Sequence, residues 1–203
     1  MKILAAADIH GSQYRLNLIL SNVSKYSPDL VIICGDITQF GPGEVATQFL
    51  NQIFVETFAL PGNIDPSEVN EAIDESRATN VNMKIVKKDS LTFAGVSGID
   101  EHQTKEFAEN YGKLIDKDTI LITHVPPHGL QDRVFLGMHS GSKELRKLLD
   151  NHHPKLVLCG HIHEDPGFTK INNTVVVNCS LGKRGEGALV TFEKDNLDVQ
   201  MIE

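Results

Sequence analysis

A chain of 203 residues favours one domain over two, given that domains commonly run to about 100–150 residues. With 40% hydrophobic and 23% charged residues it falls in the ordinary globular range, which excludes a disordered tail or a collagen-like array. Its 27 acidic against 19 basic residues give a formal net charge of -8, which argues against a strongly electrostatic grip on nucleic acid or on an anionic membrane.

Taken in chain order, short β-rich runs alternate with segments of helical period, the pattern of an α/β domain. A strand is predicted over Lys2 to Ala7, followed by a helix capped by Ser12, with Leu16, Ile19, Leu20 and Val23 on one face. A second strand spans Leu30 to Cys34, and Val45, Phe49 and Ile53 mark a helix after Gly43. Phe54 to Leu60 reads as a third strand. Asp65, Pro66 and Glu68 then read as a capping box with proline in the first turn, opening a helix with the stripe Val69, Ala72 and Ile73. Further strands are expected over Leu91 to Gly95, Thr119 to Thr123, Lys155 to Cys159 and Thr174 to Asn178, with a helix carrying Leu145, Leu148 and Leu149 that stops before Pro154. Ala188 to Phe192 and Leu197 to Ile202 flank the polar tetrapeptide 193–196, so a terminal hairpin closes the chain. Residues 97–111 and 126–143 show no period and read as loops. Most strands are apolar on both faces. No linker or repeat interrupts them, so 1–203 is read as a single domain.

No apolar run approaches the roughly 20 residues that cross a bilayer, and Asp8 and His10 cut the N-terminal run Ile3 to Ala7 short of the length a secretory signal needs. Cys34, Cys159 and Cys179 are odd in number, lack CxxC spacing and end β-branched runs, which reads as buried reduced thiols in a soluble cytoplasmic protein.

The chemistry lies where strands end. Asp8-Ile9-His10-Gly11 follows the first strand, Gly35-Asp36 the second, Gly62-Asn63-Ile64-Asp65 the third, His124 a later one and Gly160-His161-Ile162-His163 another. In open α/β sheets the carboxyl ends of strands line the ligand crevice, so these segments aim polar groups at one place. Alternation along extended backbone would point Asp8 with His10 and His161 with His163, each pair bracketing an ion. Two carboxylates, four imidazoles and a carboxamide, without sulfur, suit manganese, iron, cobalt or zinc better than calcium or magnesium. Seven ligands exceed one tetrahedral ion. With one bridging carboxylate they divide into two groups of four, enough for a pair of cations, and Asp36 behind Gly35 has the short rigid mount a bridge needs.

These blocks resemble the calcineurin-like metallophosphoesterases, whose pattern Asp-x-His, Gly-Asp, Gly-Asn-(His or Asp), lone His, Gly-His-x-His is matched in order from Asp8 to His163. The resemblance implies a two-sheet α/β/β/α sandwich. It implies that Asp8, His10, Asp36 and His163 hold a first metal and that Asp36, Asn63, His124 and His161 hold a second, with manganese favoured. Many members carry after the Asn a histidine that meets the leaving group or the phosphate; here that position is Ile64, which can neither donate a proton nor bond an oxygen. Some small bacterial and archaeal members that lack this histidine too resemble phosphodiesterases, and His124-Val125-Pro126-Pro127-His128-Gly129 looks like that short branch.

The expected mechanism is attack by a metal-bridging hydroxide, formed near neutral pH, on a phosphodiester whose equatorial oxygens are stabilised by the ions and the Asn63 amide. Asp36 and Asn63 are thus the expected catalytic positions. The expected partner is a small phosphoester or nucleotide-like substrate. A phosphomonoesterase, or a non-catalytic metal-binding scaffold for protein interaction, are the alternatives. His139 and His128 are expected substrate contacts in loops over the crevice, and His102 is placed in such a loop too. His152 and His153 read as structural cations at a helix end, Asp65 as a helix cap, and Lys183-Arg184 as a solvated turn in preference to an anion contact.

Overall fold

Strands that are apolar on both faces need a cover on each, and the chain meets that need with two stacked sheets between two layers of helices. The computed structural model describes residues 1–182, 185–193 and 196–203. In chain order these form β1 (Lys2–Ala6), α1 (Gln13–Tyr26), β2 (Leu30–Cys34), α2 (Gly43–Leu50), β3 (Thr57–Leu60), α3 (Glu68–Asp74), β4 (Thr79–Asn80), β5 (Lys84–Lys88), β6 (Leu91–Gly95), α4 (Glu101–Tyr111), β7 (Thr119–Ile122), α5 (Lys143–His152), β8 (Leu156–Cys159), β9 (Gly167–Ile171) and β10 (Thr174–Asn178). A small ribbon of β11 (Leu181–Gly182) and β12 (Gly185–Glu186) precedes the terminal hairpin of β13 (Ala188–Glu193) and β14 (Asn196–Met201). Lys183-Arg184 and the Lys194-Asp195 part of the hairpin turn lie outside the described residues.

The first sheet runs β14-β13-β1-β2-β3-β4 and the second β5-β6-β7-β8-β10-β9, each with a parallel centre and antiparallel additions. Alternation along β1 and β2 sends Leu4, Ala6, Val31 and Ile33 against α1, α2 and α3, and Ile3, Ala5, Leu30 and Ile32 inward against the second sheet. From that sheet Phe93, Ile120, Ile122, Leu156 and Leu158 answer them, and Phe58 meets Phe93 edge-on across the interface at 5.1 Å between ring centres. The outer face of the second sheet, with Ala94, Leu121, Val157 and Val176, packs on Phe107 of α4 and Leu145, Leu148 and Leu149 of α5. This is the α/β/β/α sandwich, and in both sheets the parallel strands deliver their carboxyl ends to one edge.

The structure corrects several expectations. Asp65 does not cap α3: the turn entering that helix passes through Ser67, and Glu68 bonds the Gly43 N–H at 2.9 Å instead of reaching back along its own chain. Residues 101–111 form α4, so His102 lies in a helical first turn and not in a loop; Thr104 and Phe107 alone are buried there, too thin a stripe for a periodicity to show. β5 and β9, both half-exposed strands, escaped notice because neither has a continuous apolar run. The run from Phe54 contributes a strand only from Thr57 onward, because Phe54 is exposed beneath the Arg77 guanidinium.

Candidate metal centre

Each of the loops leaving β1, β2, β3, β7 and β8 brings at least one of the seven polar side chains to this edge, but strand alternation is not what gathers them. Asp8, His10, Asp36 and His161 all have left-handed backbones, with φ of 65, 53, 52 and 70°. Such φ is uncommon outside glycine, though Asp and His tolerate it better than most residues, and it clusters at functional sites where surroundings over-determine it. Interlocking turns hold them: the His10 N–H donates to the Asp36 carbonyl at 2.8 Å, and the Asp8 N–H to the Gly35 carbonyl at 3.0 Å.

Two groups result. In the first, His10 Nε2 lies 3.1 Å from His163 Nε2 and 3.8 Å from Asp8 Oδ1, which is itself 3.3 Å from His163 Nε2. In the second, His124 Nε2 lies 2.8 Å from Asn63 Oδ1 and 3.5 Å from Asp36 Oδ1, with the His161 ring centred 5.0 Å from that of His124. Asp36 faces both groups, its other oxygen being 3.9 Å from His10 Nε2. Asp8 also reaches toward the second group, since ligand atoms of Asp8, Asp36 and His124 lie within 4.8 Å of one another. His161 and His163 diverge, one to each group, so that pair does not bracket a single ion as strand alternation suggested.

The donor chemistry fits cations. The ring Nδ1 of buried His124 donates to the Cys34 carbonyl at 2.8 Å, which leaves Nε2 as the lone-pair nitrogen. Nε2 lies 2.8 Å from the carboxamide oxygen of Asn63, and both atoms can bind a cation. Asp8 Oδ1 is buried and, among the described residues, accepts no hydrogen bond. Buried polar atoms of native proteins are rarely left so, and a cation held with His10 and His163 satisfies this one.

The carboxyls are tuned apart. Burial would push Asp8 up, but the imidazoles of His163 and His124 and the Ser180 hydroxyl hold it at about 2. Burial pushes Asp36 up to about 6, helped by the negative charges of Asp8 and Asp65 and opposed by His124 and the Ile64 N–H. Burial also lowers His161 to about 4 and His10 below its ordinary value, keeping both neutral, whereas contact with Asp8 raises His163. Divalent ions bind the deprotonated forms, so below about pH 6 they must displace a proton from Asp36, and the raised pKa of His163 adds a second proton to displace. Affinity for Mn²⁺ is therefore expected to rise with pH through about 6. Calorimetric titration in buffers of different ionisation heat checks this: proton release at about pH 5.5 and little at about pH 8 is the expected result, and a pH-independent affinity contradicts it.

Three supporting residues were missed from sequence. Asp65 ties loops together in place of capping a helix: its carboxylate accepts from the N–H groups of Ile37, Thr38 and Gly62 and from the Thr38 hydroxyl at 2.7 to 3.0 Å, lashing the loop of Asn63 to that of Asp36. Arg15, in the first turn of α1, donates to the Asp8 carbonyl at 2.6 Å and adds positive charge beside His10 and His163. Buried Asn178 donates to the carbonyls of Ile162 and Asp165 at 2.7 and 3.1 Å, pinning the loop that carries His161 and His163. The strand-end rule that picked out the other residues also covers Asn178, which closes β10; nothing in the sequence marks Arg15.

A cleft of about 230 Å³ adjoins the second group, lined by Asn63, His161, Ile99, Ser140, Gly141 and Ser142. His139 and His128 sit in the loop that borders it, their ring centres 5.6 Å apart, and neither imidazole hydrogen-bonds to any of the seven among the described residues. His152 ends α5 and His153 caps it, as expected.

A model of the calcineurin-like phosphoesterases matches residues 1–165, and the chain belongs to that family, which makes it a metallophosphoesterase and points to a hydrolase. It is 33% identical over 197 residues to an uncharacterized protein of Methanocaldococcus jannaschii, covering 89% of this chain and 88% of that one. It is also 29% identical over 175 residues to a probable glycerophosphodiester phosphodiesterase of Arcobacter nitrofigilis, across 77% of this chain but 64% of the relative's length. Among solved structures, a Thermus thermophilus protein superposes with TM-score 0.74 at 18% identity, over 100% of this chain and 99% of that one. A novel archaeal phosphodiesterase superposes with TM-score 0.60 at 17% identity over 100% of both chains. At those identities the likeness is one of fold. No helix among the described residues is long and apolar enough to cross a membrane.

Proposed function

We propose that this chain is a dinuclear metal-dependent phosphodiesterase acting on a small phosphoester or nucleotide-like substrate, in a single domain of residues 1–203. The reading rests above all on the buried Asp8 Oδ1, which accepts no hydrogen bond among the described residues and faces the ring nitrogens of His10 and His163. The similarity to a probable glycerophosphodiester phosphodiesterase supports it. In this reading Asp8, His10, Asp36 and His163 hold one ion and Asp36, Asn63, His124 and His161 the other. Such ions, manganese by preference and otherwise iron, zinc or cobalt, would supply Lewis acidity and a nucleophile at neutral pH. The Asn63 amide N–H groups would donate to a phosphoryl oxygen, and the Arg15 guanidinium draws an anion despite the net charge of -8. His139 and His128, at the border of the cleft, contact the substrate. The three cysteines are buried free thiols, which suits the reducing cytoplasm.

Ile64 offers no proton, which favours leaving groups that need none. With Mn²⁺ added, bis(p-nitrophenyl) phosphate is expected to be hydrolysed readily and alkyl monoesters slowly. Alkyl monoester turnover without diesterase activity overturns the diester preference, and metal binding without hydrolysis of any phosphoester marks a scaffold.

A further inference from the structure

The loop between β7 and α5 holds a histidine–carboxylate pair that metal binding does not use. Asp132 is fully buried, and its carboxylate accepts from His139 Nδ1 at 2.6 Å and from the N–H groups of Gly129 and Gly141, each at 2.9 Å. Burial alone would raise this carboxyl, but those three donors hold it below its ordinary value, so it is a fixed anion. Its grip on Nδ1–H fixes the ring, which the tilted His128 ring flanks, and leaves Nε2 as the nitrogen that carries the transferable proton of the imidazolium form, which the Asp132 anion stabilises. The His139 side chain is 38% exposed, and the next residues, Ser140, Gly141 and Ser142, line the cleft shared with Asn63 and His161. This is a mounted imidazole on the residue that precedes the Ser140–Ser142 wall of the cleft, in a protein whose position 64 supplies no proton.

We propose that His139, oriented by Asp132, protonates the departing oxygen of an alkyl phosphodiester. The inference rests on the diesterase reading above and extends it to substrates with poor leaving groups. Water supplies the oxygen that bonds to phosphorus. The bond from phosphorus to the alkyl oxygen breaks, its electron pair stays on that oxygen, and the Nε2 proton of His139 neutralises it as an alcohol. The proton lost by the water returns to His139 through solvent, so the cycle closes without a further reagent. Asp132 is a positioning residue, acting through the imidazole.

The test compares the Mn²⁺-loaded protein on glycerophosphoethanolamine, a dialkyl diester, with its rate on bis(p-nitrophenyl) phosphate, whose leaving group needs no proton. His139→Ala is expected to lower the alkyl-to-aryl rate ratio by about a hundredfold, with Asp132→Asn shifting it the same way but less. Added imidazole should restore the alkyl rate of His139→Ala more than the aryl rate. His139→Gln, which retains a polar side chain in the loop, serves the same comparison if the alanine variant does not fold. A ratio unchanged by either His139 variant, with both rates falling together or neither falling, overturns the inference while leaving the diesterase reading intact. Failure of the unaltered protein on both diesters overturns that reading and this inference with it.

Discussion

Asp36→Asn is expected to cut phosphodiester hydrolysis by roughly a thousandfold or more, beyond the 10–100-fold typical of outer partners of a metal site, because one carboxylate faces both groups of ligands. Asparagine retains an oxygen for the Ile64 N–H, which bonds Asp36 Oδ1 at 3.0 Å, so the turn survives. The same change should stabilise the metal-free protein. An acid whose folded pKa is raised contributes stability that is complete below its unfolded value and lost as pH climbs through the folded one, here about 6. At pH 8 the ionised Asp36 therefore costs the metal-free fold on the order of 2–3 kcal/mol. Thermal unfolding with chelator should place the variant above the parent at pH 8 and level with it near pH 4. A variant that keeps both ions and its activity, or that melts lower at pH 8, contradicts this account.

Gly35→Ala should damage fold and site together. Gly35 has φ of +85°, and a Cβ there would meet His124 Nδ1 at 2.6 Å and the Gly62 backbone at 2.8 Å. Gly62 is as confined, since a Cβ on it would run into the Asp36 carboxylate and backbone nitrogen. The two glycines let the loops after β2 and β3 pass back to back beneath Asp36 and Asn63. Overpacking and left-handed strain together make the cost of Gly35→Ala about 3 kcal/mol. His124 must also move off the Cys34 carbonyl that sets its tautomer, so metal affinity should fall with stability. Denaturant unfolding and metal titration check this; unchanged values in both would show that the loops are less tightly interlocked.

Strands buried on two faces were legible in the sequence, as in Leu30 to Cys34 and Leu156 to Cys159, because continuous β-branched runs can satisfy themselves only in a doubly covered sheet, whereas their division into two sheets came from the family resemblance. Half-exposed β5 and the sparse helix around Phe107 were not legible, since too few of their residues are buried to set a period. The seven site residues stood out because each follows a strand beside glycine, proline or another polar group. Their convergence at the strand ends was legible, but their orientation was not: left-handed turns at Asp8, His10 and His161 replace the extended alternation expected there, and backbone sign is not written in residue identity at Asp or His. Asp65 was misread because a local motif explained it fully, while its true partners, Ile37 and Thr38, lie nearly thirty residues away in sequence. Asp132 and His139 share a loop, yet no period predicts that the loop folds back to bond them.

Anomalous scattering from a crystal grown with Mn²⁺ shows whether seven side chains from five loops form one two-ion centre. Two peaks about 3.5–4 Å apart are expected, one among Asp8, His10, Asp36 and His163 and the other among Asp36, Asn63, His124 and His161. No peak, or a single ion bound away from Asp36, would contradict such a centre.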